Sequence, residues 1–428
     1  MKSANTPNTE QPEHPQTTAL PDVPPRDVTA GLDWARDDHA VSIVDGRGRE
    51  IARTIVEHTA QGLRELTGFL ARHGAAEVAI ERPDGPVVDT LLAAGVTVVV
   101  ISPNQVKNLR GRYGSAGNKD DRFDAYVLAD TLRTDRARLR PLIPDTDPTV
   151  ALRHLVRARK DLVNQRVTAA NQLRAHLRGA LPAAVGLFKD IDSQISLTFL
   201  ERFDTQDKVD WLSPKRLGHW LAAQGYSGKV SPTVLHQRIL DAPRGATGAH
   251  GTTHAPITAG YVAVLRTLTD QIKALAEEID RQLDAHADAH IFTSLPRAGR
   301  VRAARLLAEI GDCRARFPTP ESLTCLAGAA PSTRQSGRSH IVGFRWSCDK
   351  QLRDAVTDFA ADTVKTNPWA AHLYQRARDR GCDHPHAVRI LARAWLHIIW
   401  HCWQDHAPYN PAKHRALQPY LTPKTEAA

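Results

Sequence analysis

The sequence predicts two kinds of architecture in one chain, α/β followed by all-α. Three observations carry this expectation. Between residues 27 and 147, short strand-like runs alternate with helical ones. From Thr149 the pattern changes to long stretches with apolar residues at heptad spacing. From Ile291 the chain reads as helices again, the last rich in tryptophan (Trp395, Trp400, Trp403). With 428 residues the chain exceeds what one small core organises, so several domains are expected.

Residues 1–26 hold six prolines and almost no large apolar side chains, and are expected to stay disordered. Val28–Ala35, Ala40–Val44 and Glu50–Val56 read as strands, with Gly46-Arg47-Gly48 as a turn. Leu63, Leu66, Phe69 and Leu70 mark a helix over Ala60–Arg72. A strand over Glu77–Glu81, a helix over Val87–Ala94 and a buried strand over Val96–Ile101 follow, then helices over Gln105–Arg112 and Asp121–Arg136. Hairpins feeding βα units are the layout of a mixed sheet of the ribonuclease-H-like (RuvC-like) type, here spanning 27–147.

Residues 148–290 are expected to form a coiled-coil region. Val156, Val163, Ala170 and Leu177 recur every seven residues, flanked by Leu152 and Leu173. Leu265, Leu268, Ile272, Leu275, Ile279 and Leu283 pattern a second helix over Ile257–Ala287. The segment between them, with Pro214, Pro232, Pro243 and the run GATGAHGTTHAP, reads as a loop-rich insertion. Residues 291–410 read as a helical domain and 411–428 as a polar tail.

Net charge of +9 and a pI near 9.4 favour an anionic partner. No apolar run approaches eighteen residues, so no membrane span is expected. The amino terminus lacks the apolar core of a secretory signal. Five scattered cysteines without a CxxC pair suggest reduced thiols and a cytoplasmic, nucleoid-associated protein.

Four carboxylates stand out. Asp33 in GLDWA falls within a strand, where an acid is disfavoured without a metal or partner. Glu81 closes the VAI strand before a Pro-Asp-Gly turn, at the rim of the sheet. Asp121 and Asp124 lie on one helical face, with Cβ atoms roughly 5–6 Å apart, and repel unless a cation stands between them. Each acid alone could decorate a solvated helix start or strand end; four on the expected elements of one fold point to a metal site. Asp120 is a neighbouring acid that does not pair with Asp124 in this way.

Ser336-Gly337 lies among Arg334 and Arg338, a setting that suits a hydroxyl attacking a phosphate. A plain turn serine fits the same residues, and Ser332 and Ser339 are equally eligible locally. LPRAGRVRAARLLAEIGD, with Arg297 and Arg300, reads either as a helix-hairpin-helix that holds phosphate on helix N–H groups or as an ordinary helical hairpin. The Thr149–Ala180 helix carries Arg153, Arg157, Arg166 and Arg174 among seven cations against one acid, Asp161. That face either tracks a nucleic-acid backbone or is a solvated coiled-coil surface. His397 and His401, with Cys402 and His406 nearby, fit a packed aromatic face better than zinc.

GLDWA, AIERP and KDDRFDA, followed by LAGAAPSTRQSG and KQLRDA, resemble the transposases of insertion-sequence family one hundred and ten, over most of residues 28–410. The departure from that pattern is near Cys348, where the family commonly has a glycine. The resemblance implies a DNA transposase or site-specific recombinase with Asp33, Glu81, Asp121 and Asp124 holding Mg2+ or Mn2+. It implies Ser336 as a nucleophile joined covalently to DNA, with Ser332 ranked second. It also implies a structured guide RNA and a homo-oligomer, dimer or tetramer. A RuvC-like nuclease or junction resolvase using water is the alternative. A non-catalytic nucleic-acid-binding protein is a third reading, against which the intact set of four acids argues.

Overall fold

The computed structural model describes residues 19–113 and 120–421. The expected amino-terminal and carboxyl-terminal tails lie outside it over 1–18 and 422–428. The chain divides into two compact units, Met1–Asp145 with Cys313–Pro318, and Thr146–Asp312 with Thr319–Ala428.

The first unit is a three-layer α/β domain. Its strands are β1 (Val28–Trp34), β2 (Asp38–Asp45), β3 (Glu50–Glu57), β4 (Glu77–Ile80) and β5 (Thr97–Val100), ordered β3-β2-β1-β4-β5. The β1–β2 and β2–β3 pairs are antiparallel, and β1–β4 and β4–β5 are parallel. This is the expected ribonuclease-H-like mixed topology. Helices α1 (Ala60–Arg72) and α2 (Pro86–Ala93) bury Leu66, Phe69, Leu70, Val87, Val88 and Leu91 on one face of the sheet. Helices α3 (Pro103–Arg110) and α4 (Asp121–Thr134) close the other through Val106, Val127, Leu128 and Leu132. Inside this unit the expected amino-terminal tail is partly docked. Leu20 packs against the α3–α4 core, and Arg136 Nε donates to the Pro21 carbonyl at 2.9 Å.

Gly31 sets how closely α4 approaches the sheet. Strand alternation sends Ala30 and Leu32 to the α1–α2 side and Thr29, Gly31 and Asp33 to the α4 side. Thr29 Oγ1 donates to the Ala129 carbonyl at 2.9 Å. A Cβ on Gly31 would stand 2.0 Å from the Ala125 carbonyl oxygen and 2.4 Å from the Ala129 nitrogen. Only glycine permits that contact, and it is what lays the first turn of α4 beside Asp33.

Among its described residues the second unit is helical apart from one hairpin. Helix α5 (Asp147–Ala180) packs along α10 (Gly248–Ala285). The two bury Leu152, Val156, Leu173 and Leu177 against Val262, Leu265, Ile272, Ile279 and Leu283. The insertion differs from expectation. It folds into α6 (Gln194–Arg202), α7 (Gln206–Asp210), α8 (Pro214–Ala223) and α9 (Pro232–Asp241), whose Phe199, Leu200, Leu217, Leu221 and Leu235 share one core with Leu173 and Leu177 of α5 and Val262 and Leu265 of α10. Pro214 and Pro232 open helices behind the caps Ser213 and Ser231, a position where proline is favoured. The GATGAHGTTHAP run, expected within that loop-rich segment, is helical from Gly248: α10 starts there and runs through Pro256. There His254 packs on His176 with ring centroids 5.3 Å apart, and His176 bonds Thr258 Oγ1 at 3.0 Å, so tertiary contact overrides weak local propensity.

Then come α11 (Ala289–Thr293), α12 (Gly299–Ile310), α13 (Pro320–Leu326), the hairpin β6 (Ser332–Ser336) and β7 (Ser339–Gly343), α14 (Lys350–Thr363), α15 (Pro368–Asp379) and α16 (His384–Gln404). The hairpin corrects the all-helical expectation. Gly337 takes φ +55° at the first of two turn residues, Thr333, Ile341 and Val342 supply β-branched positions, and Ser336 pairs with Ser339. Trp395 and Trp403 are fully buried in α16, and Trp395 Nε1 donates to Thr363 Oγ1 at 3.0 Å.

Candidate metal centre and serine hairpin

The α4-facing side of β1 ends in Asp33, and α4 begins with Asp121. Oxygens of Asp33, Asp121 and Asp124 all lie within 4.8 Å of one another. Asp121 is exposed, Asp33 half-buried and Asp124 buried. Glu81 is outside that group but follows β4 directly. Leu32 pairs with Ile80 in parallel register, so Glu81 emerges at the same sheet edge as Asp33. Asp120 is spent elsewhere: it caps α4, accepting from the Arg122 amide at 3.1 Å.

Three carboxylates so close need positive charge. Part of it comes from Arg110 on α3, whose guanidinium donates to both oxygens of Asp124. No sequence signal pointed to Arg110, since it stands on a different helix fourteen residues away. The donor set is all oxygen, which suits a hard divalent ion such as Mg2+ or Mn2+ rather than a thiolate-seeking one. Around the rim, Arg82 stacks over Trp34 at 5.1 Å and His58 lies parallel to the Trp34 ring. His39 and His58 share a hydrogen bond of 2.9 Å, and burial, then the neighbouring His58, pushes the pKa of His39 down.

Ser336 sits at the tip of the hairpin, exposed with Arg334 and Arg338. Ser332 is at the base, half-buried, opposite Gly343.

The other cations expected on a nucleic-acid face are largely committed within the second unit. Arg157 forms a two-point ion pair with Glu309, whose side chain is 1% exposed. Arg153 Nε donates to the Ala308 carbonyl at 2.7 Å. Arg166 lies 3.4 Å from Asp192. Arg297 pairs with Asp362, and Arg300 with Asp280 and Asp284. On that part of α5 the arginines also pin α12, because a buried glutamate demands a cation. Arg174 bonds Asn171 on its own helix at an exposed stretch.

Residues 30–182 match a family described as "Transposase", the DEDD transposases of the IS110 type, and residues 289–375 match the "Transposase IS116/IS110/IS902 family". The candidate transposase of the IS117 mini-circle from Streptomyces coelicolor is 33% identical over 92% of this chain and 97% of its own length. A 42 kDa protein of insertion element IS900 from Mycobacterium paratuberculosis is 29% identical over 90% of this chain and 98% of its own. Among solved structures, T. thermophilus RuvC in complex with a Holliday junction substrate aligns over 27% of this chain and 99% of its own at 21% identity, with a TM-score of 0.22, too low to bear on the fold.

Proposed function

The chain belongs to the IS116/IS110/IS902 family of transposases, and on that premise we propose that its first unit cuts DNA strands hydrolytically, with a divalent ion held by Asp33, Asp121 and Asp124. The convergence of those three acids at one sheet edge is the observation that carries the reading. Glu81, on the same edge, is proposed as the fourth ligand. When bound, the ion supplies Lewis acidity and a water acidic enough to attack a phosphodiester. The chain's own residues do the positioning. Gly31 lets α4 carry Asp121 and Asp124 to Asp33, and Arg110 orients the Asp124 carboxylate. Arg82 and Trp34 present a cation and a ring at the rim, suited to the DNA strand beside the scissile bond.

A second reading has one observation in its favour. Ser336 stands exposed on a basic hairpin tip, where a hydroxyl can reach a phosphate, and would become joined to DNA in place of water. Cleavage in 18O-labelled water separates the two. Hydrolysis puts label on the product phosphate, and Ser336→Ala still cuts; serine attack leaves a denaturation-resistant adduct that Ser336→Ala abolishes. In parallel, Asp33→Asn is expected to lose both cleavage and Mn2+ binding with the fold kept. Retained Mn2+ affinity in that variant would remove the metal site.

Guide RNA and a dimer or tetramer are proposed on the resemblance. Exposed Arg334 and Arg338 offer phosphate contacts, and RNase treatment and light scattering of the purified chain test each. Among the described residues no helix is long and apolar enough to cross a membrane.

A further inference from the structure

The segment after the hairpin carries features that metal chemistry does not use. Trp346 is 80% exposed, beside Ile341 at 60% and Val342 at 57%. Exposed apolar side chains gathered on one segment, rather than scattered singly, are the kind of surface that marks an interaction site. The Trp346 ring meets Phe344 edge to face, with centroids 4.7 Å apart and planes at 82°. Phe344 in turn holds two guanidiniums: Arg389 at 4.7 Å and Arg353 at 5.5 Å from its centroid. Together they line an open groove of about 740 Å³, with Thr357 and His384 on its far side.

The charge in this groove is one-sided. Asp354 and Asp358 also line it, but Asp354 is neutralised by Arg305 and Lys160, and Asp358 by Arg302. Among the described residues, Arg353 and Arg389 have no carboxylate within salt-bridge distance. Phe344 therefore acts as a spacer that fixes two cations without a carboxylate partner beside an exposed indole; Arg353 also reaches the Cys348 sulfur at 3.5 Å. That is the composition of a base-stacking platform: a flat apolar ring for the base and guanidiniums for the flanking phosphates.

We propose that Trp346 stacks an unpaired base of a DNA strand while Arg353 and Arg389 hold its phosphates. The proposal rests on the DNA-cutting reading above. A duplex cannot use the site, because its bases are already stacked on one another. The register also connects the platform to the hairpin. Gly343 lies opposite Ser332, four residues from Ser336, so the base of the hairpin, three residues before Trp346, stands roughly 13–14 Å from its tip.

The test uses the full chain with divalent ions chelated, so that nothing is cut. Binding is measured to a fluorescent oligothymidylate, to the same oligonucleotide with abasic sites, to a duplex of equal length and to oligouridylate. Trp346→Ala is expected to weaken oligothymidylate binding by roughly 5- to 100-fold, the loss of one base stack. Trp346→Phe should restore most of it, and affinity for the abasic strand and the duplex should not change. Equal affinity of wild type and Trp346→Ala for oligothymidylate overturns the proposal, as does an equal loss on the abasic strand. Tighter binding of oligouridylate than oligothymidylate assigns the platform to RNA instead, and a changed oligomeric mass in Trp346→Ala assigns it to a second copy of the chain. The metal reading fails separately: Asp33→Asn removes cleavage whether or not the platform exists, and it should leave the thymidylate-to-abasic preference intact.

Discussion

The acidic cluster and the serine hairpin solve opposite problems. Carboxylates within 4.8 Å repel one another, so their positions must be imposed by rigid elements: a strand end, a helix start and a glycine that lets the two touch. A candidate nucleophile needs access, and Ser336 sits on a two-stranded ribbon whose residues are almost all exposed. One site is built from rigid, partly buried elements and the other from exposure. Single substitutions should therefore damage the first through geometry and the second through local chemistry.

The largest effects are expected inside the cluster, where they also divide. Asp121→Ala and Asp124→Ala should both take DNA cleavage below detection. Their stabilities should differ. Asp121 is exposed, and removing it relieves repulsion, so the metal-free chain should keep its stability to within about 0.5 kcal/mol or gain slightly. Asp124 is buried and holds both arms of Arg110, so its loss should cost about 1–3 kcal/mol. Chemical denaturation without metal measures both. Equal destabilisation would mean that the cluster is a structural network and not a site assembled against its own repulsion.

Gly31→Ala comes next. The added methyl meets backbone atoms of α4, not a flexible side chain, so α4 must move off the sheet. A loss of about 1–3 kcal/mol is expected, with reduced cleavage although no acid has been touched. Normal cleavage together with lost stability would show that the cluster tolerates a displaced helix, which the comparison denies.

How much of this was legible in the sequence follows the same division. The elements of the first unit, and three acids that come together, were readable because strand alternation and helical spacing act locally. Asp121 was preferred to Asp120 on spacing together with the KDDRFDA resemblance, and the structure gives Asp120 a separate role as the helix cap. Arg110 was not readable, because its pairing with Asp124 depends on how two helices pack. The insertion was misjudged because its prolines looked like breakers, whereas Pro214 and Pro232 each follow a capping serine and start a helix. The structural role of Arg157 was not readable for the reverse reason. A cation on a basic helix reads as solvated until the buried Glu309 on another helix appears. The hairpin itself had a signal in the Gly-Arg turn followed by the β-branched Ile341 and Val342, and only the surrounding helices masked it.

The smallest effect tests the exposed side of the comparison. Arg334 and Arg338 flank Ser336, and both are exposed, so any hold they have on DNA is phosphate attraction screened by salt. Each of Arg334→Gln and Arg338→Gln should lower the slope of log K against log salt by about 0.7–0.9, the value for one lost phosphate contact, and the loss should not depend on sequence. Thermal stability should stay within about 0.5 kcal/mol, since neither side chain supports a core. Arg157→Gln is the control from the buried side. Uncoupling Glu309 should destabilise the fold and leave the slope unchanged, because that guanidinium already has its anion. If the two hairpin variants leave the slope unmoved while Arg157→Gln lowers it, DNA lies along α5 and not on the hairpin.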